Sequence, residues 1–195
     1  MISNSTQGAA VKKIDEFNAS DRVDLKLLEN SVHFLSGEIT DANVNDCIKW
    51  IIYENFDARE KILTIYINST GGDLYSALAL IDVMQTSEHP IRTVTVGSAM
   101  SAAFLIAASG THGQRYAGKN ATFMCHQFTD NSEGKYHDLK ATMKGNEMSN
   151  EMMVSVLKEA TGLAPSVIKK KLLPASDVYL TPQEVIELGI VDHLL

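Results

Sequence analysis

Cysteine is nearly missing from this chain: Cys47 and Cys125 are the only two in 195 residues. Two are too few for a disulfide framework, and with no C-x-x-C pair neither a zinc site nor a thioredoxin-type motif is indicated. Both lie among apolar neighbours, so the expectation is buried free thiols in a reducing compartment. Basic charge is also scarce, with 17 Lys and Arg against 24 Asp and Glu and a net charge of −7. A nucleic-acid binder would carry a basic stripe. The short run Lys169-Lys170-Lys171 reads instead as a solvated helix end. No apolar run is long enough to span a bilayer. The start, Met1-Ile2-Ser3-Asn4-Ser5-Thr6-Gln7-Gly8, lacks the basic segment and apolar core of a signal peptide. A cytoplasmic protein without membrane or nucleic-acid partners is expected.

Motifs of several enzyme classes are missing too. His33, His89, His112, His137 and His193 form no H-E-x-x-H or similar spacing, so no metal or other cofactor is expected. Neither G-x-G-x-x-G nor a P-loop occurs, which leaves a nucleotide site weakly supported. Gly97-Ser98-Ala99-Met100-Ser101 is not a G-x-S-x-G elbow. No internal repeat and no low-complexity tract interrupts the chain.

What is present is an alternation of strand and helix patterns. Residues 1–30 are polar and weakly periodic and read as a flexible N-terminal arm, with local structure near Val23 to Leu28; residues 31–195 read as one domain. Strands are expected at Ser31–Leu35, Ile62–Ile67, Ile91–Val96, Gln114–Ala117 and Thr122–Cys125, with a last short one starting at Ile190 and Val191. Helical spacing runs through Thr40–Asn55, where Val44, Cys47, Ile48, Ile51 and Ile52 are expected to share a face, and through Asp73–Gln85. Further helices are expected at Ala102–Ala108, Lys135–Ala160, Pro165–Leu172 and Thr181–Leu188. The last has Thr at the cap, Pro182 at the first position and Glu184 at the third, and it ends at Gly189. This order implies right-handed βαβ units in an α/β domain.

Four places carry residues suited to chemistry. The run from Thr95 to Ile106 reads as a strand, a tight turn and a helix, with the Ser101 hydroxyl at the joint. Gly97, Ser98, Ala99, Ala102 and Ala103 leave little bulk around it. A nucleophile attacking an amide carbonyl needs such space, and a helix N-terminus offers N–H groups for the oxyanion. Close helix–strand packing would call for the same small residues. Asn68-Ser69-Thr70-Gly71-Gly72 is either an ordinary tight turn or a backbone that approaches a phosphate, a thioester oxygen or a peptide oxyanion. His126, after Phe123-Met124-Cys125, fits a base, a ligand or a structural histidine. Asp177 fits a turn aspartate or a carboxylate that orients His126. Taken together, Ser101, His126 and Asp177 supply a nucleophile, a general base and an orienting acid.

These pieces resemble the ClpP family of ATP-dependent serine proteases. The matching runs are Tyr66 to Gly72, Gly97 to Leu105, Met124 to Gln127, and Tyr179 to Val185 continuing through Leu188 to Asp192. The resemblance covers about residues 31–195, in the family's order and spacing. It implies a ClpP/crotonase-like βαβ spiral with a protruding handle helix at Lys135–Ala160. It also implies Ser101 as nucleophile, His126 as base, Asp177 as orienting carboxylate, and the N–H groups of Gly72 and Ala102 as the oxyanion hole. The implied protein is a homo-oligomer of two stacked seven-membered rings that hydrolyses unfolded polypeptides delivered by an AAA+ ATPase. The chain departs from the family at Ala102-Ala103 (Met-Gly in relatives), Thr70 and Phe128 (Pro), Thr129-Asp130-Asn131 (glycines) and Ser176 (Arg). The last three changes fall where rings meet, and the arm fits the axial-loop pattern poorly; the chain resembles a divergent member. Two alternatives stand beside an active peptidase: a catalytically weak scaffold or regulatory ring subunit, and an acyl-CoA enzyme on the related crotonase fold. The latter needs an acid or base pair of carboxylates near the second turn, and none stands beside Ser101.

Overall fold

In Leu63-Thr64-Ile65-Tyr66-Ile67 every second residue is fully buried, the alternation of a strand with one face on a core. The computed structural model describes residues 18–195. Seven strands run in chain order as β1 (Val32–Ile39), β2 (Leu63–Gly72), β3 (Ile91–Met100), β4 (Arg115–Ala117), β5 (Thr122–Cys125), β6 (Val178–Leu180) and β7 (His193–Leu194). Seven helices accompany them: α1 (Ala19–Glu29), α2 (Asp41–Glu54), α3 (Leu74–Gln85), α4 (Ala102–Ala108), α5 (Tyr136–Thr161), α6 (Pro165–Lys171) and α7 (Pro182–Glu187). Of the stretch read as an N-terminal arm, residues 1–17 lie outside the described residues, and α1 occupies most of the remainder.

The sheet has the order β1-β2-β3-β4-β7, all parallel, with a helix in each of the first three crossovers. This is the α/β arrangement of βαβ units that the sequence pattern implied, in the form the family resemblance implied. Strand β3 then forks. Its first half pairs with β4 through Thr93–Thr95, and its second half pairs with β5 through Ser98–Met100. Gly97 sits at the fork with φ +77°, and a Cβ there would lie 2.5 Å from Asn68 Oδ1. Glycine is required by both the backbone and the space. The antiparallel pair β5–β6 carries the branch outward.

Every residue of α4 is buried, and Phe104 meets Phe123 of β5 edge to face at 6.4 Å. The side chain of Arg115 is 3% exposed, and its guanidinium binds Asp192 at 2.6 Å, the Ala160 carbonyl at 2.7 Å and the Ala108 carbonyl at 3.2 Å. One side chain thus ties the ends of α4 and α5 to the C-terminal segment. Burial pushes the Asp192 carboxyl up. The hydrogen bonds from the Arg115 side chain and backbone, with that from Gly113 N–H, outweigh it and hold the carboxyl below its ordinary range.

In helix α5 two halves differ. No residue from Tyr136 to Met148 is buried, whereas Ser149, Met153, Val154, Val156, Leu157 and Ala160 are. The first half is therefore a projecting handle and the second half is core.

The structure moves several element boundaries. Strand β2 does not break at Asn68 but continues to Gly72, because Glu38 and Ile39 of β1 pair with Gly71 and Gly72 across a bulge. Likewise β3 runs on to Met100 by pairing with β5. The last strand lies at His193–Leu194, since Ile190 and Val191 are buried in the turn after α7. On α2, Ile52 is 46% exposed and Trp50 is buried. Ile52 lies about 100° around the helix from Ile51 and so leaves the apolar stripe.

Candidate active site

Ser101 joins β3 to α4 with φ 53° and ψ −122°. Among the described residues only Ser31 shares a positive φ without being glycine. Such a conformation costs about 1–3 kcal/mol and persists where neighbours over-determine it. Here the Ser101 N–H donates to the Met124 carbonyl at 2.9 Å, and the Ser101 carbonyl accepts from Phe104 N–H at 3.0 Å. The sharp strand-to-helix joint lifts the side chain out of the sheet. Its Oγ lies 2.7 Å from His126 Nε2.

His126 follows β5, the strand that pairs with the end of β3, so one parallel ladder brings the two residues together. When the Ser101 hydroxyl donates to Nε2, the ring proton sits on Nδ1, which faces Asp177. The Asp177 Oδ1 stands 4.0 Å from Nδ1, and its side chain is 55% exposed. That is ion-pair range and longer than a hydrogen bond. Asp177 is set at the start of β6, whose antiparallel pairing puts Val178 opposite Cys125. Gln127 reinforces this placement by donating from Nε2 to the Leu173 carbonyl at 2.9 Å.

The glycine turn reaches the same place from β2. A Cβ on Gly71, at φ +102°, would meet Ser101 Cβ and the Met100 carbonyl at 2.7 Å and Ala102 N at 3.3 Å. On Gly72 a Cβ would collide with the Ile39 backbone. The two turns touch only because these positions carry no side chain. The Asp73 N–H is taken by the Ile39 carbonyl at 2.9 Å, on the β1 side. Ala102, first residue of α4, has an N–H without an intrahelical acceptor. Asp73, next after Gly72, caps α3 by accepting from Ser76 N–H at 2.6 Å.

A cleft of about 210 Å³ opens over Ser101 and His126, with Gly72, Ala102, Phe128 and Met153 in its walls. Met153 comes from α5, and periodicity alone places it only on a buried face. A groove of about 950 Å³ between α1 and α2 is larger but holds neither Ser101 nor His126. Cys125, next to His126, is no rival nucleophile. Burial pushes its thiol up to about 12, against a smaller opposing pull from the His126 N–H. Among the described residues no three His, Cys, Asp or Glu side chains are placed to hold a metal ion, and no helix is long and apolar enough to cross a membrane.

A family model described as Clp protease matches residues 16–195, which takes in every element above. The α/β spiral with its projecting handle agrees with that match, and the ordered runs around Gly72, Ser101 and His126 fall within it. On this evidence the chain belongs to the Clp protease family, a family of peptidases.

Proposed function

We propose that the protein is a serine endopeptidase that cleaves unfolded polypeptides inside a ring-shaped homo-oligomer. The single observation that carries this reading is the 2.7 Å contact between Ser101 Oγ and His126 Nε2 on a strained strand-to-helix joint. Ser101 Oγ attacks the scissile carbonyl as its proton passes to Nε2. The carbonyl oxygen becomes an oxyanion between the N–H groups of Gly72 and Ala102. As the intermediate collapses, the His126 imidazolium returns its proton to the leaving amine. Water then attacks the acyl-enzyme as His126 takes its proton, and on collapse the bond to Oγ breaks and His126 returns the proton to Ser101, releasing the acid product. Asp177 faces the imidazolium as it forms; the growing charge attracts the carboxylate across the 4.0 Å gap.

Exposed apolar residues support assembly. Tyr136, Leu139 and Met143 fall at i, i+3 and i+7 on the handle, one exposed stripe touched at Tyr136 by His137 and Lys140 of the same helix. Such a stripe suits face-to-face stacking of two seven-membered rings. Enclosed active sites then require an AAA+ ATPase to deliver unfolded chains.

The 4.0 Å gap and the exposure of Asp177 favour a second reading, a catalytically weak scaffold or regulatory ring subunit. One pair of measurements separates the two. Wild type should be labelled at Ser101 by a fluorophosphonate probe and should cleave a fluorogenic peptide, and Ser101→Ala should lose both, with turnover falling by about three orders of magnitude or more. Absence of labelling in the assembled wild-type particle selects the scaffold. Wild-type turnover in Ser101→Ala refutes the triad.

A further inference from the structure

Consecutive polar residues on α5, Ser149 and Asn150, bond to two chain segments at the cleft: Tyr75 follows the cleft-lining Leu74, and Phe128 lines the cleft itself. Ser149 is fully buried, and its Oγ is hydrogen-bonded to Tyr75 Oη at 3.1 Å, on the first turn of α3 just beyond Gly72. The Asn150 Oδ1 accepts from the Phe128 N–H at 3.0 Å, two residues beyond His126. Its Nδ2 donates to the Asn146 carbonyl at 3.0 Å, so both ends of the amide are used and its orientation is set. One turn further on, Met153 forms part of the cleft wall. The segment after β5 has left the sheet by Phe128, and no strand holds it there. Its register is held by Gln127 on one side and by Asn150 on the other.

We infer that Asn150 is a positioning residue: by tethering Phe128 N–H to the buried half of the handle helix, it holds His126 at hydrogen-bond distance from Ser101. The inference rests on the serine-peptidase reading of Ser101 and His126. Its consequence is that the base is held by the same helix whose other half projects from the domain. Displacement of the handle is therefore felt at Nε2 before it is felt at Ser101, which is anchored by the β3–β5 ladder. Small misplacements of a reacting group are costly, so the loss of one tether is expected to show in turnover and not in substrate binding.

The test compares Asn150→Ala, which removes the acceptor and keeps the helix, with Asn150→Asp, which keeps an acceptor for Phe128 N–H. In the assembled protein, the rate of Ser101 labelling by a fluorophosphonate and the kcat for a fluorogenic peptide should fall about tenfold in Asn150→Ala, with KM within about twofold. Asn150→Asp should stay within about threefold of wild type. Amide hydrogen exchange over residues 126–129 should accelerate in Asn150→Ala alone. Wild-type labelling in Asn150→Ala, or equal losses in both variants, overturns the inference. If wild type itself is not labelled, the peptidase reading falls, and the exchange rates still decide the tether: no acceleration in Asn150→Ala refutes it.

Discussion

At the scale of single residues, the site depends as much on missing side chains as on present ones. Gly71 shows this most directly, because its Cα faces Ser101 Cβ and the Met100 carbonyl with no room between. Gly71→Ala combines an unfavourable φ of +102° with that collision. It should cost about 2 kcal/mol or more in denaturant unfolding and displace Ser101 enough to lower peptide turnover at least about tenfold. Unchanged turnover would mean that the two turns do not need this close approach. Cys125 gives the opposite kind of prediction. Its thiol is buried and held protonated, so iodoacetamide at neutral pH should leave it unmodified in the native protein and alkylate it only after unfolding. Labelling of native protein at Cys125 would contradict its burial.

Among elements, the Arg115–Asp192 pair is the main lock. It joins β4 to the C-terminal segment and, through two carbonyls, to the ends of α4 and α5. Asp192→Asn would leave a buried guanidinium without its counter-charge and should cost about 3–5 kcal/mol near neutral pH. The Asp192 carboxyl is held below its ordinary range, so it contributes stability above the unfolded-state value of 3.8, and that contribution is lost as pH falls through the lower folded-state value. Wild type should therefore lose stability below about pH 4, and Asp192→Asn should show a shallower loss there. Parallel acid limbs in urea titrations of the two proteins would remove Asp192 from the account. This lock was not legible in the sequence, where Arg115 and Asp192 stand 77 positions apart with nothing to pair them.

For the whole molecule, the exposed handle stripe is the feature to test. Met143 is 63% exposed in the single chain and belongs to no core contact there. Met143→Glu should leave the chain's far-UV circular dichroism and thermal midpoint nearly unchanged. Native mass measurement should show wild type as two rings of seven and Met143→Glu as single rings, since a charge on a buried apolar seam is costly. A wild-type particle that is a single ring or a monomer would refute the stacked architecture, and an intact double ring in the variant would place the seam elsewhere.

The sequence alone determined most of the elements and their kind, but neither the short strand β6 nor the helix α1 inside the stretch read as an arm. Alternation at Leu63–Ile67, the apolar run of α4 and the capping box at Thr181–Glu184 are local, and local patterns carry helix and strand preferences without outside help. The ordered runs around Gly72, Ser101 and His126 also carried the family, which the match over residues 16–195 shows. Tertiary structure decided what depends on residues far apart. It extended β2 and β3 past their apolar runs by giving their last residues partners on β1 and β5. It produced the strained Ser101 joint without a G-x-S-x-G motif, because the Met124 carbonyl and the first turn of α4 hold that backbone from both sides. It set 2.7 Å between Ser101 and His126 but 4.0 Å between His126 and Asp177. The first distance follows from a shared ladder; the second reaches a half-exposed side chain that precedes the three-residue strand β6 and is aimed by no ladder of its own. Residue types name the chemistry, while distances depend on which strands pair, and pairing is a property of the whole chain.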